Sequence, residues 1–310
     1  MQQDSWALGH DRLETVPCPS CGGTAFELLA TTDRYDMGLH TSGCSTCGLV
    51  MSNPQPTAEA LDTFYRQHYR SFYQGAAEPS LAYIHSYRKD ERCAEAVAFM
   101  QRSGLLREGM KALDIGASEG VLLHALAQQV PTARRVAVEP NPVFGAFAVQ
   151  HAGCTLHASV EALVAAGEGG FDLISMVHVY EHIKQPVQFL RALKPLLASG
   201  GKVYIDVPDI TTYGRLNDLH IAHLYHFGPD TLARAAAVAG YRVEVCERHL
   251  PIKHPKSLRC VLVPDALATA PAPRNLLQGW QATRRAGRHV WAAHRRRWPW
   301  TRRLRHMLGL

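Results

Sequence analysis

The chain has 310 residues, 46% of them hydrophobic, with 33 basic and 27 acidic side chains and eight cysteines. That suffices for one full core plus a small accessory module, and the lack of any run of about 18 apolar residues excludes a membrane-spanning helix. The net charge of +6 is local: ten arginines and no acid follow Asp265, leaving 23 basic and 27 acidic groups before it. In chain order, residues 1–55 carry two knuckles, Cys18-x2-Cys21 and Cys44-x2-Cys47, each followed by glycine. Four thiolates so spaced form the tetrahedral shell of a structural Zn2+, and four protein ligands leave no open position for catalysis. The rival, a disulfide framework, suits a small secreted domain, and no signal peptide is read here. Cys93, Cys154, Cys246 and Cys260 are scattered and read as buried structural thiols in a reducing cytoplasm.

Asn53-Pro54-Gln55-Pro56-Thr57 is a chain breaker ending in a helix cap. Residues 56–108 then read as a helical, aromatic connector or lid. Phe64 and Phe72 are core-filling residues, while Tyr69 and Tyr73 are candidates to cover or contact the substrate.

The stretch Ala112-Leu113-Asp114-Ile115-Gly116-Ala117-Ser118-Glu119-Gly120 runs into the helical pattern Val121 to Leu126. It predicts a buried strand, a tight turn and a helix N-terminus. Nineteen residues after Gly120 the apolar run Val136-Ala137-Val138 ends in Glu139, placed to accept hydrogen bonds from the ribose hydroxyls of an adenosine-containing ligand. A dinucleotide site wants G-x-G-x-x-G and a pyrophosphate on the helix. Here Asp114 and Glu119 would repel that group, whereas they suit the ammonium and sulfonium of S-adenosylmethionine. No G-K-[ST] follows, so a P-loop is excluded. The cofactor set is therefore Asp114, Gly116, Ser118, Gly120 and Glu139, extended by Ser159 and His178.

Phe171 to Val177 predicts a second buried strand that breaks into the polar loop His178-Val179-Tyr180-Glu181-His182. A helix from Val187 to Leu197 and a strand from Lys202 to Val207, set off by Gly200-Gly201, follow. Together the D-x-G-x-x-x-G loop, the acid after strand two, the E-H loop and the G-G-K-V strand resemble the class I S-adenosylmethionine-dependent methyltransferases. The resemblance implies an α/β fold, a Rossmann-like seven-stranded sheet over residues 109–264, preceded by a zinc-ribbon-like module and a helical lid. With the four-cysteine module, N-P-x-P-T, F-Y-x3-Y and H-L-Y-H-F, the chain is similar to the zinc-containing bacterial sugar and surface-polysaccharide methyltransferases. That resemblance implies a saccharide or nucleotide-sugar acceptor and, from the group's C-methylating members, a histidine base in the E-H loop, a role that maps onto His182. O-methylation is favoured over C-methylation.

A sugar hydroxyl becomes a competent nucleophile as a base removes its proton, and a histidine is suited to that task. Glu181 either orients His182 or forms part of the cofactor wall; alternatively the pair only caps the following helix. His220, His223 and His226 recur every three residues, a spacing that winds around a helix without an acid to complete a metal site. Tyr225 and His226 are instead expected to line the acceptor pocket. Residues 265–310 form a Pro-rich linker and an Arg/Trp-rich tail, with four of the five tryptophans. Such a tail suits an anionic membrane surface, placing the protein in the cytoplasm and at the inner face of the membrane; packing on its own protein is the competing reading. The acidic body argues against a nucleic-acid partner. The alternative function is a nucleic-acid-directed methyltransferase or an RNA-binding protein using zinc module and tail.

Overall fold

A computed structural model describes residues 12–34, 39–67, 78–214, 218–272 and 279–285. Its strands are β1 (Leu13–Glu14), β2 (Phe26–Ala30), β3 (Thr41–Cys44), β4 (Val50–Ser52), β5 (Gln55–Pro56), β6 (Lys111–Ile115), β7 (Arg134–Val138), β8 (Thr155–His157), β9 (Phe171–Val177), β10 (Leu197–Pro208), β11 (Tyr225–His226), β12 (Tyr241–His249) and β13 (Ser257–Pro264). Its helices are α1 (Ala58–Gln67), α2 (Leu81–Ser86), α3 (Lys89–Arg102), α4 (Val121–Gln129), α5 (Pro142–Ala152), α6 (Val160–Ala165), α7 (Pro186–Leu193) and α8 (Pro229–Val238), with a further helical segment at 279–285. They form two compact units. One comprises the described parts of 61–208 and 232–271, the other those of 1–60, 209–231 and 272–310.

The larger unit is built on a seven-stranded sheet of order β12-β13-β10-β9-β6-β7-β8. Strands β10, β9, β6, β7 and β8 pair in parallel, while β13 runs antiparallel to both β10 and β12. The Rossmann-like seven-stranded sheet expected from the sequence is present. Its central strands are nearly continuous apolar runs, as strands covered on both faces must be. On one face α3 and α4 deliver Val97, Phe99, Met100, Leu122 and Leu126 to a core shared with Leu173, Tyr204 and Val261. Helix α5 starts where Asn141 Oδ1 accepts the amides of Val143 (3.0 Å) and Phe144 (3.2 Å), with Pro142 at its first position.

The segment expected as a helix to Leu197 behaves differently. Helix α7 ends at Leu193, because Pro195 turns the chain into a short 3-10 segment, and β10 begins already at Leu197. Gly200 and Gly201 lie within that strand, where its register against β9 shifts between Leu197 and Lys202. A Cβ at Gly201 would lie 2.5 Å from the Phe171 carbonyl oxygen, so only glycine admits this approach.

In the smaller unit a four-stranded sheet runs in the order β11-β4-β3-β2, and β1 pairs with β5. Residues 209–231 lie between β10 and α8 in sequence, but Tyr225 and His226 pair with Met51 and Val50, so they cluster with the cysteine knuckles. The Thr57 hydroxyl accepts the Ala60 amide at 3.2 Å, the cap expected at the start of α1. Ala282 is fully buried and Trp280 packs beside it against Leu29, Val50, Ile210 and Tyr213. Arg284 pairs with Glu27. Of the Arg/Trp-rich tail, these two members are thus engaged in packing, and residues 286–310 lie outside the described residues. Among the described residues no helix is long and apolar enough to cross a membrane.

Candidate functional site

In the smaller unit the two knuckles repeat one backbone design. The Cys18 amide donates to Gly23 O (2.9 Å) and Gly22 N to Cys18 O (2.8 Å); Cys44 N donates to Leu49 O (2.9 Å) and Gly48 N to Cys44 O (2.8 Å). Gly22 and Gly48 complete the turns with φ of 72° and 78°, which side-chain-bearing residues rarely adopt. The four Sγ atoms converge within 4.8 Å of one another, with Cys18–Cys47 at 3.4 Å and Cys21–Cys44 at 3.5 Å. A tetrahedral ion with bonds of about 2.3 Å sets sulfurs about 3.8 Å apart, so the donor set and its spread fit such an ion. The Cys18 thiol is pushed up by its hydrogen bond to Cys47, by burial and by its sulfur neighbours, while that hydrogen bond pulls Cys47 down. Were all four ionised, sulfurs this close would repel one another unless a cation lay among them.

Tyr225 and His226, expected in the acceptor pocket, form strand β11 of this unit and are both buried. His226 Nδ1 lies 3.0 Å from the Tyr213 hydroxyl, and burial lowers its pKa to about 3, holding the ring neutral. The His220-to-His226 stretch is no helix: His220 and His223 occupy a turn with rings 3.5 Å apart, and His226 is in the strand. Tyr69 and Tyr73 lie outside the described residues.

In the larger unit the loop after β6 is held against the tip of β7. The Val138 carbonyl accepts the amides of both Gly116 (2.8 Å) and Ala117 (3.1 Å). Gly116, Ser118 and Gly120 all have positive φ, of 74°, 51° and 74°. A Cβ at Gly120 would stand 2.9 Å from the Ala148 methyl, so this glycine lets α4 begin directly against α5. Glu139 is buried at the end of β7. Its Oε2 accepts the Ser118 amide (2.9 Å) and its Oε1 the Asn141 amide (2.9 Å). These two amides fix the orientation of the carboxylate beside the loop.

Asp114 accepts a hydrogen bond from the Ser175 hydroxyl at 2.7 Å. Burial pushes its carboxyl up to about 7, opposed by that bond and reinforced by the charge of Glu139. Glu119 was expected as a second carboxylate for a cationic ligand, but Lys89 Nζ lies 2.7 Å from its Oε1. Burial works against the Glu119 charge, and Lys89 outweighs it, holding the carboxyl below its ordinary range. Asp114 and Glu139 therefore carry the acidity of the loop. Ser159 caps α6, its hydroxyl accepting the Ala162 amide at 3.1 Å.

At the carboxyl ends of β9, β10 and β12 a second polar group assembles. His178 has φ 54°, and its amide donates to the Asp206 carbonyl at 2.8 Å. Glu181 and His182 lie in the 3-10 turn Tyr180–His182. Buried Glu181 Oε1 stands 3.5 Å from His178 Nδ1 and 3.9 Å from His182 Nε2, nearer the first histidine than the second. The Tyr65 ring meets His182 edge-on at 6.3 Å. Asp206 Oδ2 accepts the Tyr204 hydroxyl (3.3 Å) and lies 3.0 Å from His249 Nε2. The His254 ring lies 4.5 Å from that of His178, and burial, then His178, Arg92 and Lys89, drive its pKa far below the ordinary histidine range. Tyr65, Lys89, Asp206, His249 and His254 carry no sequence motif; only the acid in the apolar run Tyr204-Ile205-Asp206-Val207 is a signal of the kind Glu139 gives.

A mainly parallel sheet, a glycine-bearing loop at the first helix N-terminus and an oriented acid on the neighbouring strand define a doubly wound, nucleotide-binding class of domain. The sequence profile of the methyltransferase-domain family matches residues 83–245, more than half of the chain. The chain belongs to that family. It is similar to the ubiquinone biosynthesis O-methyltransferase of Caulobacter sp. (strain K31), 35% identical over 118 residues, which are 36% of this chain and 47% of that protein. The corresponding protein of Dinoroseobacter shibae is 36% identical over 98 residues, 30% of this chain and 39% of its own length. The chain thus spans less than half the length of these relatives. Its fold is like that of 1,6-didemethyltoxoflavin-N1-methyltransferase from Burkholderia thailandensis, solved with 1,6-didemethyltoxoflavin and S-adenosylhomocysteine. The TM-score is 0.53 at 19% identity, covering 70% of this chain and 96% of that one.

Proposed function

We propose that this methyltransferase transfers the methyl group of S-adenosylmethionine to a hydroxyl of a sugar or surface-glycan precursor. The observation that carries the cofactor reading is Glu139, fixed by two backbone amides at the tip of β7 beside the Gly116–Gly120 turn. In this reading Glu139 holds the ribose hydroxyls and ionised Asp114 faces the cationic part of the ligand. Bound S-adenosylmethionine supplies an electrophilic methyl carbon, so the chain's main task is to align the acceptor oxygen with it. His182 takes the hydroxyl proton, with Glu181 close enough to stabilise the protonated ring. Cys18, Cys21, Cys44 and Cys47 hold one Zn2+, which links the two knuckles and takes no part in methyl transfer.

The sugar acceptor rests on the motif resemblance across the cysteine module and the E-H and H-L-Y-H-F segments. A second reading, a hydroxyl of a ubiquinone precursor, is favoured by the relatives, whose names also support O- over C-methylation. Incubation with methyl-labelled S-adenosylmethionine and parallel sets of nucleotide-sugars and phenolic quinone precursors distinguishes the two. Label in a nucleotide-sugar supports the first reading, and label confined to the phenolic set replaces it with the second.

A further inference from the structure

Outside the four-cysteine cluster one further pair of thiols meets. Strands β12 and β13 are antiparallel, and Cys246 stands directly opposite Cys260 in their register. Directly opposed residues of antiparallel strands have Cα atoms about 4.5–5.5 Å apart, inside the range of about 4.4–6.8 Å that a disulfide spans. Their Sγ atoms are 2.9 Å apart, the Cys260 thiol donating to the Cys246 sulfur. The pair is asymmetric: Cys246 is exposed and Cys260 fully buried. Cys246 therefore departs from the expectation of four buried structural thiols, which Cys93, Cys154 and Cys260 meet.

We infer that Cys246 and Cys260 are a thiol–disulfide exchange site that takes a low-molecular-weight disulfide, such as oxidised glutathione, as its oxidant. Exposure decides the order of events. The Cys246 thiol loses its proton, and its sulfur attacks one sulfur of the small disulfide. The small S–S bond breaks, one thiolate leaves and takes up a proton, and Cys246 carries a mixed disulfide. Cys260 is too buried to meet the reagent but already touches Cys246. Its sulfur attacks that of Cys246, its proton passes to the second departing thiolate, and the Cys246–Cys260 bond forms. Two electrons move from the protein to the reagent, which is reduced to two thiols. Closing the bond to a length of about 2.0 Å requires the sulfurs to approach by about 1 Å, and the strand register already supplies the alignment.

The test is to equilibrate the full-length protein in buffers of graded reduced-to-oxidised glutathione ratio, quench with acid, alkylate the remaining thiols and analyse intact mass and tryptic peptides. The expected product has lost two hydrogens and yields a cross-link between peptides 243–248 and 260–274, reversed by dithiothreitol. Cys260→Ser should instead stop at a stable glutathione adduct on Cys246. Cys246→Ser, at an exposed position, should show neither cross-link nor adduct at Cys260. A wild-type protein that accumulates the Cys246 adduct without the cross-link overturns the inference. So does one whose cross-links involve only Cys18, Cys21, Cys44 or Cys47, or in which Cys246 stays fully alkylatable.

Discussion

Gly43 and Trp280 compete for one volume: a methyl group on Gly43 would stand 2.3 Å from the Trp280 indole Nε1. Gly43 lies in β3 between Glu27 and Val50, and the bare strand at this point forms the seat of the indole. Gly43→Ala should lower stability by about 1–3 kcal/mol, the usual cost of overpacking. In a Trp280→Ala background the same substitution should cost almost nothing, because the colliding ring is gone. Denaturant unfolding of the four proteins measures this coupling, and equal penalties in both backgrounds would exclude the contact.

Glu139→Ala should weaken S-adenosylmethionine binding by about 1.5–3 kcal/mol, the scale of hydrogen bonds to a charged group. The Ser118 amide also loses its acceptor, so loop order should fall with affinity. Calorimetry on the folded variant checks both, and unchanged affinity would remove Glu139 from the cofactor site.

With its carboxyl raised to about 7, Asp114 carries a proton at mildly acidic pH that an unfolded chain would have released. Between the ordinary carboxyl value of 3.8 and about 7 the folded state holds more protons, so this group's contribution to stability falls as pH rises through that window. A cationic ligand needs the ionised form, so affinity should climb with pH and level off above about 7, by at most about tenfold per unit. Asp114→Asn should bind weakly with a flat profile. A wild-type affinity that is constant from about pH 6 to about pH 8 contradicts the assignment.

Freshly purified protein should contain one zinc per chain. Cys44→Ser should lose the metal and destabilise the knuckles, since ligand convergence and folding are coupled in such sites. Elemental analysis with thermal unfolding before and after chelation is the measurement; a metal-free wild type of undiminished stability speaks against it.

His182→Asn should retain cofactor affinity while turnover drops by about 10²–10⁴-fold, the range for loss of a general base. Single-turnover rates with the identified acceptor decide this, because a normal rate would mean that alignment alone carries the reaction.

Local backbone demands were legible in the sequence. The turn at Gly116 to Gly120 needs positive φ at three positions, and two are glycine. Asn53 to Thr57 announced a helix start, and the apolar runs announced the central strands. What stayed hidden depends on pairings distant in sequence. Glu119 meets Lys89 from thirty residues earlier, and nothing around either residue advertises the pair. His220-x2-His223-x2-His226 invites a helical reading, but Tyr225 and His226 find an open edge of β4 about 175 residues upstream. The end of α7 was misplaced because Gly200-Gly201 resembles a boundary, whereas Pro195 had already ended the helix.

The pairing of β4 with β11 also constrains the order in which the chain can mature. On the ribosome the cysteine knuckles emerge before the seven-stranded sheet, but the fourth strand of their own sheet arrives only with Tyr225 and His226, and Ala282 with Trp280 later still. The seven-stranded sheet must be synthesised through β10 before the knuckles gain their last partners, making these contacts non-local and slow to close. A fragment ending near residue 60 would expose the edge of β4 and the seat of Trp280. The cysteine knuckles precede the seven-stranded sheet in sequence, yet the strand and the indole that support them are synthesised after most of it.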